Sequence, residues 1–158
     1  MSIETYTRLR LAESQLESAM GLFITGQDRF SVITLAGAAD VLLARLVSNA
    51  GGEPFTDHLL EAHRAAGGTD ESREVHGKRV NDTLFINQLK HLDDGNDGCV
   101  EMEPEECALG AILKAVVNYV QLDGHKPSLI GAFRHWMVKN LDHTKYKVHC
   151  DPNWEQPK

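Results

Sequence analysis

The chain has 158 residues, of which 42% are hydrophobic and 25% charged, and its formal net charge is −7. This length and composition fit one globular domain with a real core and exclude a disordered chain. The acidic balance excludes an extended basic face, so we expect no binding of duplex DNA, while a small local RNA site stays open.

The N-terminus, the apolar segments and the cysteines predict a cytoplasmic protein. The first four residues show no basic segment followed by an apolar one, so no secretory signal is predicted. The most apolar stretch, residues 30–47, contains Asp40 and Arg45, and we interpret it as a buried helix rather than a membrane span. Three cysteines without a CxxC pair fit reduced thiols and do not predict a zinc site.

The first half of the chain predicts three helices. Apolar residues at helical spacing predict the first over residues 5–25, with Glu13 among the polar residues on its other side. The second covers residues 28–49 and is apolar on nearly all sides, which is typical of a helix in the middle of a bundle. After a break at residues 51–54, a short helix should follow over residues 56–66.

The second half predicts three further helices. A long helix begins at Thr69 or Asp70 and carries apolar residues as far as Leu92, and an acidic loop follows it. Pro104 and Pro127 each open a helix, because proline fits the first helical turn.

Long helices joined by short, glycine-containing turns favour neighbours that run antiparallel. We therefore predict an all-α, antiparallel up-and-down bundle of four to five long helices plus a short one. The bundle should form a single domain over residues 1–142. Residues 143–158 show no clear period and are interpreted as a C-terminal tail.

Asp40 is the least expected residue of the second predicted helix. Its neighbours one turn away are apolar or small, so its carboxylate should be partly buried and must find a partner. Two interpretations stay open: a structural ion pair or hydrogen bond, and a role in a binding site.

Asn87 and His91 form a second polar feature. They lie four residues apart on the apolar stripe of the predicted long helix, so both should point the same way, and Lys90 adjoins them. Such a pair is either satisfied within the core or lies at the lip of a cleft. We take Asp40, Asn87, Lys90 and His91 as candidate ligand-binding residues, and His91 as the one candidate for acid–base catalysis.

Metal and cofactor motifs are absent. None of the eight histidines follows a glutamate by three residues, as a di-iron bundle requires. The acidic loop at residues 93–98 resembles part of a calcium loop, but it would place Pro104 where the bidentate glutamate belongs. No P-loop, GxGxxG or GxSxG occurs, so we predict neither a metal site nor a cofactor.

Three runs resemble HEPN-like helical domains: AGAADVLL at residues 36–43, LFINQLKH at residues 84–91 and VVNY at residues 116–119. The resemblance covers roughly residues 9–120. It implies a four- or five-helix bundle that is often dimeric. Many members are ribonucleases of toxin, defence or RNA-processing systems, whose motif is an arginine, four to six residues and a histidine.

The sequence departs from that motif. Asn87 and His91 match the pattern, but Leu84, Phe85 and Ile86 occupy the positions where the arginine belongs. We therefore predict a homodimeric, non-catalytic or regulatory module that binds a protein partner, RNA or a small ligand. The alternative is a divergent metal-independent ribonuclease or nucleotide-acting enzyme that uses His91. A helical protein that binds a partner without any pocket is a third hypothesis.

Overall fold

A computed structural model describes residues 3–92, 95 and 98–142, and every regular element among them is a helix. The all-α class is thereby confirmed. The predicted tail at residues 143–158 lies outside the described residues. The six described helices are α1 (Arg8–Ile24), α2 (Arg29–Asn49), α3 (Phe55–Ala65), α4 (Arg73–Thr83), α5 (Pro104–Tyr119) and α6 (Pro127–Asn140).

The chain divides into two compact units, Met1–His125 and Lys126–Lys158. The first unit contains α1 to α5. In the second unit, α6 begins at Pro127, and the rings of Phe133 and Trp136 stack with their centroids 6.4 Å apart.

The helix ends in the first unit follow the local sequence signals. The Asp28 carboxylate caps α2 by accepting hydrogen bonds from the backbone N–H groups of Phe30 and Ser31, at 3.2 and 3.0 Å. Pro104 occupies the first turn of α5. Gly26 follows α1 with a φ of 72°, a left-handed conformation that costs glycine little.

The core lies where α1, α2 and α5 pack against one another. Many of its buried side chains are alanines, and their small size lets the helices approach closely. The fully buried core residues of these helices are Ala12, Leu16, Ala19, Phe23, Val32, Ile33, Ala36, Ala39, Leu43, Ala108, Ala111, Ile112, Ala115 and Tyr119.

Within the described part of the chain, α2 is the one helix long and apolar enough to cross a membrane. It is also a central helix of the core, and 44% of its most apolar window is buried in the protein. Core helices pass the same test of length and composition, so this finding alone is a weak indication of a membrane span.

α4 ends at Thr83, so the prediction of one continuous helix as far as residue 92 is wrong. Phe85 adopts a left-handed conformation with a φ of 57°. The backbone N–H of Ile86 then donates to the carbonyl of Asn81 at 2.9 Å, which closes the helix end. Residues 84–90 continue as turns, and Asn87 and His91 therefore do not lie on one long helix.

Packing against α2 explains where the chain turns. Ile86 is 3% exposed, and a Cβ added to Gly37 would lie 2.7 Å from its Cγ2 atom. Only glycine at position 37 leaves room for this side chain. The local spacing of apolar residues favours a helix that continues past Thr83. Burial of Ile86 against α2 stabilises the chain with the helix ended there instead.

A buried polar network joins α2, α5 and α3. Asp40 and Lys114, each 4% exposed, form an ion pair between α2 and α5. The Asn118 amide, one turn further along α5, donates to the other Asp40 oxygen at 2.8 Å. The side-chain Oδ1 of Asn118 accepts a hydrogen bond from the backbone N–H of Phe55 at 2.8 Å. Pro54 gives α3 no side-chain cap, so Asn118 satisfies an N–H group that would otherwise lack an intrahelical partner.

A second buried hydrogen bond joins α1 to α5. The Tyr119 hydroxyl donates to Oε1 of Glu13 at 2.8 Å, and Glu13 is 6% exposed. The prediction that Glu13 lies on the polar side of its helix is therefore wrong. Its carboxylate is buried because the Tyr119 hydroxyl supplies a donor inside the core.

We expect Asp40→Ala to lower the free energy of unfolding by about 3–5 kcal/mol, because the buried Lys114 ammonium would lose its carboxylate. Asp40→Asn retains an amide oxygen that accepts one of the two hydrogen bonds, so its loss should be smaller. Urea denaturation followed by circular dichroism measures both values.

Two further variants control this prediction. The double variant Asp40→Leu/Lys114→Met removes both charges and should be more stable than Asp40→Ala. Glu61→Ala breaks an exposed pair with Arg64, at 2.9 Å, and should cost less than about 1 kcal/mol. Equal, small losses for Asp40→Ala and Glu61→Ala would contradict a buried and paired Asp40.

Candidate functional site

A cavity of about 670 Å³ lies between α3, α4 and α5. We call it the histidine cavity, because it is lined by a histidine from each of α3 and α4. Its lining residues are Phe55, Leu59, Ala62, His63, His76, Arg79, Val80, Thr83, Leu84, Gly110, Leu113 and Lys114.

The walls of the histidine cavity are mostly apolar. Phe55 and Leu59 line it from α3, and Leu113 lines it from α5. Leu84, directly after α4, packs over Gly110 of α5, where an added Cβ would lie 2.6 Å from the leucine Cδ2 atom. The chain after α4 can therefore approach α5 only because position 110 carries no side chain.

His76 is the polar residue that most distinguishes this cavity. It is 4% exposed, and it is the only side chain of α4 that is buried. Its Nδ1 lies 3.0 Å from Nη2 of Arg79 and 3.3 Å from Oε2 of Glu71. Its Nε2 is buried without a hydrogen-bond partner, which is rare for a buried polar atom.

His63 lies beside His76 but is oriented differently. The two ring centroids are 5.7 Å apart, and His63 Nε2 is 3.8 Å from Oε1 of Glu71. A Cβ added to Gly68 would lie 2.3 Å from this nitrogen, so the ring tip rests on the backbone before α4. His63 therefore supports the connection between α3 and α4, and its Nε2 is covered by that connection.

Glu71 organises the connection between α3 and α4. Its carboxylate accepts hydrogen bonds from Arg79 at 3.2 and 3.3 Å and from the Thr69 hydroxyl at 3.2 Å. Burial alone would raise the pKa of Glu71, but the charge of Arg79 and the hydrogen bonds from His76, Arg79 and Thr69 outweigh it. The net effect is a lowered pKa, so the carboxylate stays ionised and holds the hydrogen bonds from Arg79, His76 and Thr69.

A second, smaller cavity of about 210 Å³ lies on the other side of α4, where Gly77 and Asn81 line it. Asp40 and Lys114 also line it, and Lys114 lines the histidine cavity too. Lys114 of the buried ion pair thus borders both cavities, and Asp40 borders the smaller one. Both of its charges are already paired, so the pair forms a polar boundary rather than a free binding group.

The described contacts of the four predicted site residues do not bring Asp40 together with the other three. Asp40 is paired with Lys114 and accepts a hydrogen bond from Asn118, as its structural interpretation expects. The Asn87 amide donates to Oδ1 of Asp82 at 2.7 Å.

Lys90 and His91 are exposed, and no described contact joins Asp40 to Asn87, Lys90 or His91. The prediction placed Asn87 and His91 on one long helix, whereas α4 ends at Thr83.

Sequence reasoning missed His63, His76 and Lys114. A signal for Lys114 was present: it and Asn118 lie four residues apart in a helix that is otherwise apolar between Cys107 and Val120. That pair matches Asp40 as the single acid of the apolar second helix. No comparable signal marks His63 and His76, because thirteen positions and a turn separate them in the chain.

Among the residues that the structure describes, no group of three His, Cys, Asp or Glu side chains is arranged to hold a metal ion. The lining of the histidine cavity consists of apolar side chains together with the polar side chains of His63, His76, Arg79, Thr83 and Lys114.

No family model matches this chain, and comparison with curated proteins and with solved structures finds no match either.

We expect Glu71→Gln to lower the melting temperature at pH 7, because the ionised carboxylate anchors Arg79 and His76. The pKa of Glu71 is lower in the folded state than its ordinary value, so its contribution exists above the unfolded pKa of about 4.3. That contribution is lost as the pH falls through the folded pKa. The gap between wild type and variant should therefore narrow below pH ~4, as measured by thermal melts across pH.

Glu61→Gln is the matched control, since this glutamate lies in α3, ten residues before Glu71, and its side chain is 64% exposed. Its melting temperature should stay close to that of the wild type at every pH. A gap for Glu71→Gln that is the same at pH 7 and pH 3 would show that the charge of Glu71 contributes nothing.

Proposed function

We propose that this protein is a non-catalytic or regulatory helical module that binds a small ligand in the histidine cavity. One observation carries the proposal: a mostly apolar cavity of about 670 Å³ is also lined by the polar side chains of His63, His76, Arg79 and Lys114. Small-molecule sites typically combine about 300–1,000 Å³ of apolar space with a few polar groups that orient the ligand.

The polar lining supports binding rather than nucleophilic catalysis. Thr83 carries the one hydroxyl among the described lining residues, and it donates to the backbone carbonyl of Arg79 at 2.9 Å. Neither histidine therefore activates it. Nucleophilic catalysis would need a hydroxyl or thiol within hydrogen-bond reach of a base.

We further propose that the protein is related to HEPN-like domains and that its helices are antiparallel. We also propose that it is a homodimer in the cytoplasm. Phe30 and Val41 on α2 support the dimer, because they are 51% and 60% exposed although large and apolar. Light scattering at high micromolar concentration tests it, and a monomer there would count against a twofold assembly.

We expect the neutral fluorophore N-phenylnaphthylamine to bind the wild-type protein with an increase in fluorescence. Ala62 lines the cavity from α3, and Ala62→Trp should fill part of it. This variant should weaken the apparent affinity about tenfold, equivalent to about 1.4 kcal/mol. Fluorescence titration at a fixed protein concentration measures the change.

The matched control is Ala65→Trp, which places the same side chain on an exposed position of α3 that does not line the cavity. It should bind the fluorophore as the wild type does. Equal weakening by both variants, or no binding by any of the three proteins, would contradict a ligand site in the histidine cavity.

The alternative function is ribonuclease or nucleotide chemistry at His91. The exposure of both Lys90 and His91 favours it, because an RNA strand could reach them. The phosphate-gripping arginine of HEPN ribonucleases is missing, and the buried Ile86 stands at one of its possible positions. Arginine holds phosphate in two places and keeps its charge, which a flexible lysine does not reproduce.

We therefore expect no cleavage of single-stranded RNA in EDTA, since losing such a cation typically costs about a hundredfold or more in rate. Gel analysis of wild type and His91→Ala, purified in parallel, checks this. Cleavage by the wild type that disappears in His91→Ala would establish the enzyme and overturn the non-catalytic proposal.

A further inference from the structure

One face of α2 is exposed, and its exposed positions are arranged symmetrically. Apart from Asn49 in the last turn, the exposed side chains of α2 are Phe30, Thr34, Val41 and Arg45. At 3.6 residues per turn these four fall within about 60° of the helix circumference, so they share one face, which we call the α2 face. The first and the fourth lie equally far from a midpoint beside Ala38, and so do the second and the third.

The α2 face carries both a projection and a groove. The large apolar side chains of Phe30 and Val41 are each more than half exposed, which is typical of a contact surface when they lie together. A groove of about 380 Å³ opens at the other end of the face from Val41. Its lining residues are Asp28, Phe30, Ser31, Thr34, Leu35 and Leu89.

Opposite charges lie near the two ends of the α2 face. Asp28, directly before α2, is exposed, and hydrogen bonds from the hydroxyl and the backbone N–H of Ser31 hold its pKa below the ordinary value, so it is ionised. Arg45 makes no ion pair or side-chain hydrogen bond with any residue that the structure describes. The two charges are about 26 Å apart along the helix, so they cannot pair within one copy.

A second copy of the same face matches these features when the two α2 helices run antiparallel across a twofold axis. Because the four positions are symmetric, Val41 of each copy then lies opposite Thr34 of the other, beside the groove. Arg45 lies opposite Phe30, on whose ring a guanidinium packs favourably, and two positions from Asp28. A parallel pair would instead bring like charges together.

The middle of the α2 face leaves room for this approach. Ala38 is half-buried and small, and the distance between packed helices depends on the size of the side chains at their contact. Ile86 covers Gly37 at one edge of the face, while Ala38 beside it remains accessible. The turn after α4 therefore borders the face and, through Leu89, forms one wall of the groove.

We propose that the α2 face is the contact surface of a twofold homodimer, in which α2 packs antiparallel against α2 of a second copy. Val41 of each copy enters the groove of the other, and Arg45 of each copy lies beside Phe30 and Asp28 of the other. A second copy is favoured over an unrelated partner because a twofold contact needs complementary features on one surface, at equal distances from the axis. The inference rests on the homodimer proposed above and specifies its interface.

Val41→Glu tests the interface. It should raise the dissociation constant of the dimer about tenfold or more, because each copy would bury a carboxylate without a partner. Sedimentation equilibrium over a range of protein concentrations measures the constant. Circular dichroism checks that the variant is folded, as expected for a substitution at an exposed position.

Val75→Glu is the matched control, since Val75 is an equally exposed valine, at 57%, that lies on α4 outside the α2 face. It should associate as the wild type does. The double variant Thr34→Arg/Val41→Glu places an arginine of each copy opposite the new glutamate of the other. It should recover most of the lost association, which a merely destabilised α2 would not do.

Disulfide trapping tests the antiparallel register, in a background that carries Cys99→Ser and Cys150→Ser and keeps the buried Cys107. Thr34→Cys mixed with Val41→Cys should form covalent dimers on oxidation, because the two positions lie opposite each other. Thr34→Cys alone should not, since the two copies of position 34 would lie about 10 Å apart along the helix pair, beyond the reach of a disulfide.

The outcomes separate the interface from the dimer itself. A wild type that stays monomeric at high micromolar concentration would contradict the homodimer and the interface together, and would leave the α2 face to another partner. A dimer that Val41→Glu leaves as tight as the wild type would overturn the interface and keep the homodimer. Cross-linking by Thr34→Cys alone, or no recovery in the double variant, would overturn the antiparallel register. Binding of N-phenylnaphthylamine in the histidine cavity is independent of all three results.

Discussion

The buried ion pair between Asp40 and Lys114 is the constraint on which the arrangement of the helices depends. Each charge has been removed from water, and among the described residues the opposite charge and the Asn118 amide compensate for that loss. A shift of α2 along α5 would separate the pair inside the core. The apolar contacts between the same helices would tolerate such a shift more easily, because dispersion and burial have little directionality. We interpret the pair as setting the register of α2 against α5.

The same network places α3 and therefore shapes the candidate site. Asn118 contacts Asp40 with its amide nitrogen and the start of α3 with its amide oxygen. The position of α3 decides where Phe55, Leu59 and His63 lie. α4 is attached more loosely, through His76 and the hydrogen bonds of Glu71, and cavities remain on both of its sides. The candidate site is thus a cavity between α4, which buries only His76, and the packed helices α3 and α5.

The runs that resemble HEPN-like domains each have a structural reason in this protein. In residues 36–43, Gly37 makes room for Ile86 and Asp40 pairs with Lys114. In residues 84–91, Ile86 anchors the turn after α4 against α2. The same residues would be needed whether or not the protein acts on RNA. Packing alone therefore accounts for these runs, and they carry no information on whether this protein acts on RNA.

The sequence alone determined the helical class and most helix limits in the first unit. Caps, prolines, glycines and the spacing of apolar residues act within a few positions of one another, so Asp28 and Pro104 could be read directly. It also determined that Asp40 must have a partner. Only the tertiary structure decided that the partner is Lys114, that Glu13 is buried against Tyr119, and that α4 stops at Thr83. His63 and His76 likewise meet only after the chain reverses between α3 and α4. These outcomes depend on contacts between residues far apart in the chain, and local periodicity carries no information about which helix faces pack together.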